Sequence, residues 1–160
     1  MSADNNKRLS NLCRHIERVI NNAKVLAETL LEEDDSPTTF LFAKQLIQNC
    51  YKHDNSKFQG IEWEYLTNGA DKDDLVKMAI DQHNTTNSHH PEYYGGLKEM
   101  PDIALAEMAC DLCARGSEFG TDVREWVEEI VPKRYNINTH TAQYKILKSF
   151  INKILEKPFQ

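Results

Sequence analysis

No run in this 160-residue chain comes near the roughly 20 consecutive apolar residues of a membrane-spanning helix. Its opening segment, MSADNNKRLS, lacks the apolar core of a secretion signal. The alternation that marks strands is nearly missing, which sets aside sheet proteins. A basic excess is missing too. With 19 Lys and Arg against 25 Asp and Glu, the formal charge is −6, which excludes a general nucleic-acid binder but not a small anion held by a metal. Cysteine is confined to Cys13, Cys50, Cys110 and Cys113. The lone CxxC, Cys110–Cys113, has no second pair and no glycine-rich turn beside it. Reduced cysteines packed as small apolar residues in a reducing cytoplasm fit this usage. Internal repeats and low-complexity tracts are absent.

What is present is a helical pattern in one domain. Apolar residues make up 40% and charged residues 28%. A chain of this length buries roughly 70% of its unfolded surface, enough for a core and an internal site. Spacings of three and four predict a first helix over about 7–31, with Leu12, Ile16, Val19, Ala23, Leu26 and Leu30 inward. Ser36 or Thr38 caps a second, over about 38–51, packed through Phe40, Ala43, Leu46, Ile47 and Cys50. A short segment near 61–65 and an Asn68-Gly69 turn lead to a helix over about 73–82 that buries Val76, Ala79 and Ile80. Residues 84–100 read as an ordered loop. A helix over about 102–115 follows, with Gly116 as its stop. Two more are expected. Thr121 or Asp122 caps one that buries Val123, Trp126, Val127 and Ile130; Thr139 caps the last. The expectation is a single all-α domain over 1–160, a compact bundle of five to seven helices.

The histidines carry the chemistry. Five of six lie in the first ninety residues. His15 is three after Leu12 and four before Val19, so it points with the apolar stripe; His83 is four after Ala79. Asp111, three after Met108, would bury a carboxylate, for which a metal ion is one of the few good partners. Singly, each has an ordinary structural explanation: a hydrogen-bonded core histidine, loop polarity at His89-His90, or an Asp111–Arg115 pair. Jointly, His15, His53-Asp54 and Asp111 bring two imidazoles and two carboxylates from three helices. That nitrogen and oxygen set suits Mn2+, Fe2+, Co2+, Ni2+, Zn2+ or Mg2+. His83 with His89 or His90 offers a second ion position, so one or two ions are expected. Pro91 holds His90 extended, which predicts that His89 and His90 take alternate faces. His140 stands apart.

In this order, His15, then His53-Asp54, then Asp111 on successive helices resembles the H…HD…D signature of the HD-domain superfamily of metal-dependent phosphohydrolases. His15-Ile-Glu-Arg-Val19 is similar to its first-histidine helix, CYKHDNSK (50–57) to its HDxGK segment, and MACDLCA (108–114) to its last aspartate helix. Ser56 stands where that family has glycine. His83 and His89-His90 resemble the extra histidines of members with two metals. More narrowly, KHDxSKF, then HHPEYYGG, then an E-M-x-C-D helix is similar to a small, largely uncharacterised set of phage and bacterial proteins, which implies a bacterial or host cytoplasm. The likeness spans about residues 9–115, leaving helices over about 121–157 as a packing extension.

The resemblance implies a hydrolase of a phosphate ester, a nucleotide or nucleoside phosphate, with a small phosphorylated substrate as its partner. Metal-activated water supplies the nucleophile. His15, His53, Asp54 and Asp111 are the expected first-metal ligands, with Asp54 available as a bridge and a catalytic residue. Lys57 is the candidate for steadying phosphate charge. Glu92, Tyr93 and Tyr94 are the candidates for the substrate pocket. The same order also resembles HD-fold di-iron oxygenases acting on a small polar substrate. A third reading is a non-catalytic module that keeps the fold to bind a nucleotide or a protein.

Overall fold

The computed structural model describes residues 3–68, 73–134 and 136–157. The Gly69 half of the expected Asn68-Gly69 turn lies outside them. Spacings of three and four put Leu12, His15, Val19, Ala23 and Leu26 on one buried face of α1 (Ala3–Glu33). At 31 residues this helix is about 46 Å long and crosses the domain. Ser36 starts α2 (Pro37–Cys50): its side chain accepts from the Thr39 amide, and Pro37 needs no hydrogen-bond partner in the first turn. Then come α3 (Gly60–Asn68), α4 (Asp73–Thr86), α5 (Asp102–Phe119), α6 (Val123–Glu129), α7 (Val131–Arg134) and α8 (Ala142–Glu156). Three short 3-10 turns, Asn55–Phe58, Pro91–Tyr94 and Leu97–Glu99, join them. No strand occurs among the described residues, and none of their helices is long and apolar enough to cross a membrane.

The all-α expectation holds. The described residues form eight helices rather than five to seven because the chain breaks at Ile130 and restarts as α7, whose second residue, Pro132, is tolerated in a first turn. The 84–100 loop is largely helical turns, and α4 runs on to Thr86, so His83 sits within its last turn. Phe40, Ile80 and Ile130, expected inside, are exposed. A periodic spacing marks a face of a helix, not whether a neighbour covers it. Thr141, not Thr139, caps α8, its hydroxyl accepting from the Tyr144 amide.

The core gathers around α5, which packs on α1, α2 and α8. Residues 104–110 are all buried, most of them small, so neighbouring helices approach closely. The cysteines are free; Cys50, Cys110 and Cys113 are buried and Cys13 is exposed. Burial pushes the Cys110 thiol well up and that of Cys113 up to about 12, so both stay protonated and serve as small apolar residues.

Gly116 does not end α5. Gly120, at φ 63°, does. Gly116 is instead where α6 meets α5: a Cβ there would lie 2.0 Å from Val123 Cγ2. Alanine is intrinsically better in a helix, but Val is stiff at χ1 and cannot swing aside. Gly116→Ala should therefore lower stability by about 1–3 kcal/mol, and Val123→Ala in the same chain should restore most of it. Urea melts of the three variants check this; a more stable Gly116→Ala would contradict it.

Candidate metal centre

Three helices and two turns converge on one end of the bundle. His15 comes from the middle of α1 and Asp111 from the middle of α5. His53 and Asp54 follow the end of α2. Asp54 adopts φ 58°, a left-handed conformation uncommon outside glycine, and this reverses the chain into the 3-10 turn at Asn55. The residue carrying the unusual backbone is thus Asp54 itself, so Ser56 is compatible with the turn in place of glycine. His83 lies on α4, and His89 and His90 on the turn after it.

The side chains meet. His15 Nε2 is 3.1 Å from Asp111 Oδ1 and 3.5 Å from Asp54 Oδ2. His53 Nε2 lies 3.7 Å from Asp54 Oδ1 and 3.8 Å from Asp111 Oδ1. Asp54 Oδ1 is also 3.2 Å from His83 Nε2 and 3.7 Å from His89 Nε2. Ligand atoms of His15, His53 and Asp54, of His53, His89 and Asp111, and of His83, His89 and His90 form three groups, each within 4.8 Å. His90 is extended as Pro91 requires, yet both His89 and His90 reach the cluster, with ring centroids 4.2 Å apart. The expected alternation of faces fails because the pair sits in a turn, closed by the His90 amide donating to the Asn87 carbonyl, not in a strand.

Carboxylates back the imidazoles. Nδ1 of His15 donates to Glu118 (2.8 Å), that of His83 to Glu62 (2.8 Å) and that of His53 to Glu107 (3.1 Å), while Nδ1 of His89 lies 3.4 Å from the same Glu107 oxygen. An ionised carboxylate only accepts, so each Nδ1 carries the proton and each Nε2 faces the cluster. Ser56 donates to Glu62, and Asn87 donates to Ser56, fixing the His83 side. Buried Nε2 of His15, His53, His89 and His90, with Oδ1 of Asp54 and Asp111, have no hydrogen-bond partner. Such orphaned atoms are costly unless a cation satisfies them. Donors of this kind, in this number, fit one or two divalent ions.

Charge is arranged to match. Burial opposes ionising Asp54, but His53, His83 and Lys57 outweigh it and hold its carboxyl well below the usual range. His15 and His53 do the same for Asp111. Glu107, also opposed by burial, is brought down to about 2 by His53 and His89. For His53, burial favours the neutral form, yet Asp54, Asp111 and Glu107 raise it to about 10. Burial lowers His89, and burial with the neighbouring His89 and His83 lowers His90 to about 3.

A pocket of about 370 Å³ opens beside the cluster. Lys57, His83, His90 and Asp111 line it together with Leu112, Arg115, Phe119, Val123 and Trp126. Lys57 Nζ is 2.5 Å from Asp54 Oδ2. Glu92, Tyr93 and Tyr94 do not line it. Glu92 and Tyr93 are exposed, Glu92 accepting from Asn84, while Tyr94 packs against the core. The turn that brings His89 and His90 inward carries these three away. The pocket wall comes instead from α6, part of the segment expected only to pack. The backing acids were also missed. Glu107 and Glu118 did leave a signal, lying four before and seven after Asp111 on one face of α5; Glu62 left none.

Binding to the native state stabilises it, so added Mn2+ should raise the melting temperature of chelated protein. Glu107→Gln should keep the fold and lower metal affinity about 10- to 100-fold. With its pKa at about 10, His53 is protonated at pH 7 without an ion and must free Nε2 to bind one. Uptake should therefore release about one proton from His53, and affinity should rise with pH. Calorimetry in buffers of different ionisation enthalpy reads this directly; no melting shift and no proton release would remove the assignment.

No curated protein and no solved structure matches the chain. A family model does, over residues 4–153, a span that contains every residue of the cluster and its backing acids. The chain therefore belongs to the family described as "Family of unknown function (DUF5662)".

Proposed function

We propose that the protein is a metal-dependent phosphohydrolase acting on a nucleotide or nucleoside phosphate. The observation that carries this reading is the convergence of unpartnered imidazole nitrogens and aspartate oxygens in one cluster, of which His90 and Asp111, together with His83 and Lys57, line an open pocket. The order of His15, His53-Asp54 and Asp111, which resembles the HD-domain signature, supports it.

In this reading His15, His53, Asp54 and Asp111 would hold one ion, and His83, His89 and His90 would hold a second. Asp54 Oδ1, within 3.7 Å of Nε2 on His53, His83 and His89, would be available to both sets. Bound divalent ions lower the pKa of water toward neutrality and offset charge on phosphoryl oxygens. Glu62, Glu107 and Glu118 hold the imidazoles in the tautomer that ligation needs. Lys57 contributes a positive charge where phosphoryl oxygens would lie, as a donor that its flexible stem can aim. Two aromatic side chains in the pocket lining, Trp126 half-buried and Phe119 exposed, offer faces to a base. The pocket's volume is in the range that small-molecule sites occupy.

Phosphate release from a nucleotide panel with Mn2+ tests the reading. Asp54→Asn should lose both metal and turnover. Lys57→Gln should keep the Mn2+-induced rise in melting temperature and lose roughly 10²- to 10³-fold in kcat. No phosphate release from any nucleotide, with iron in the purified protein and oxygen uptake, would replace hydrolysis with the di-iron oxygenase reading. Tight nucleotide binding without turnover would leave a binding module.

A further inference from the structure

A second pocket, of about 530 Å³, lies against the first. We propose that it is an anion subsite for phosphoryl groups beyond the one at the metal cluster, so that the substrate class is a nucleoside di- or triphosphate. What reacts rests on the phosphohydrolase reading; what binds rests on separate residues.

Four of the six arginines in the chain, Arg8, Arg14, Arg18 and Arg115, line this pocket together with Lys57. Glu118 is the one carboxylate among its lining residues. Five cations against one acid, in a chain of net charge −6, is a local reversal of the global balance. The choice of arginine matters, because its planar fork of N–H donors matches phosphate oxygens in pairs. Arg8, His15 and Arg18 are seven and three apart, so one strip of α1 carries a cluster histidine flanked by two guanidinium groups.

The donors differ in how far they are already used. Arg8 donates to the Leu66 carbonyl at 2.8 Å and pairs with Asp4, so it serves as wall. Arg14 is exposed and has no hydrogen-bond or ion-pair partner among the described residues. Arg18 and Arg115, each 42% exposed at the side chain, reach Glu118 only at 3.4 and 3.3 Å through one N–H apiece. Nε of Arg115 also lies 3.8 Å from Asp111 Oδ1, so Arg18 keeps most of its fork for a ligand and Arg115 keeps one terminal nitrogen. Lys57, Arg115 and Phe119 line both pockets, and His15 belongs to both cluster and subsite. A row of phosphoryl groups can thus run from the cluster past Lys57 toward Arg14 and Arg18, with the base in the first pocket. The cations line a concavity and are not spread over a face, which favours a small polyanion over a nucleic acid.

Calorimetric titration of inorganic triphosphate and of orthophosphate into the full-length protein, as purified and after EDTA, tests this. Wild type should bind triphosphate at least about tenfold tighter than orthophosphate in both states. Arg14→Gln with Arg18→Gln should lose about tenfold or more in triphosphate affinity, with the melting temperature and Mn2+ uptake kept. Arg14→Gln alone, which removes a side chain without partners, should show part of that loss and guards against a folding defect. Equal triphosphate affinity in all three proteins overturns the subsite. A single-stranded oligonucleotide that binds tighter than triphosphate also overturns it. Arginine-dependent triphosphate binding without phosphate release from any nucleotide keeps the subsite and discards the hydrolase. Phosphate release with one KM for mono- and triphosphates does the reverse.

Discussion

Two aspartates among five histidines, most of them buried and three of them lining a pocket, are the arrangement on which the rest of the molecule depends. Buried carboxylates and imidazoles are tolerated only when each polar atom has a partner. The outward nitrogens of four histidines have theirs in Glu62, Glu107 and Glu118. Inward Nε2 of His15, His53, His89 and His90 and one oxygen each of Asp54 and Asp111 do not, and their common focus is what a divalent cation satisfies. The fold is therefore organised to hold negative charge in place against its own repulsion. Lys57 at Asp54, and Arg18 and Arg115 at Glu118, meet part of that charge from the rim.

One helix serves both purposes. Along α5 the small residues form the centre of the apolar core, while Glu107, Asp111 and Glu118 lie on the face that meets the imidazoles. Close packing of the first set fixes the position of the second, since α5 cannot rotate without opening voids against α1 and α8. The same rigidity extends to the pocket. Gly116, on α5, lets α6 lie close enough to bring Val123 and Trp126 to the site wall. Core packing and site geometry are in this sense one constraint.

Much of this was legible from residue spacing. His15 falls in register with Leu12 and Val19, and Asp111 with Met108, so their inward direction followed from the helical period alone. His89 and His90 were legible as candidates but not in their direction, because a turn has no period from which to read one. Glu62 was invisible. It sits in a short helix whose place is set by packing on α4, and its role appears only when Ser56, Asn87 and His83 come together. The arginines of α1 and Arg115 are about a hundred residues apart and share a pocket through the α1–α5 contact.

Local pattern alone carried the all-α class, most of the inward stripes and the kinds of donor atom, because helical period and side-chain chemistry are local properties. Tertiary structure decided which donors share a focus, which acid stands behind which histidine, and that α6 rather than residues 92–94 walls the pocket. Those choices depend on which helix covers which face. That is settled by close packing between residues far apart in the chain, which no local pattern encodes.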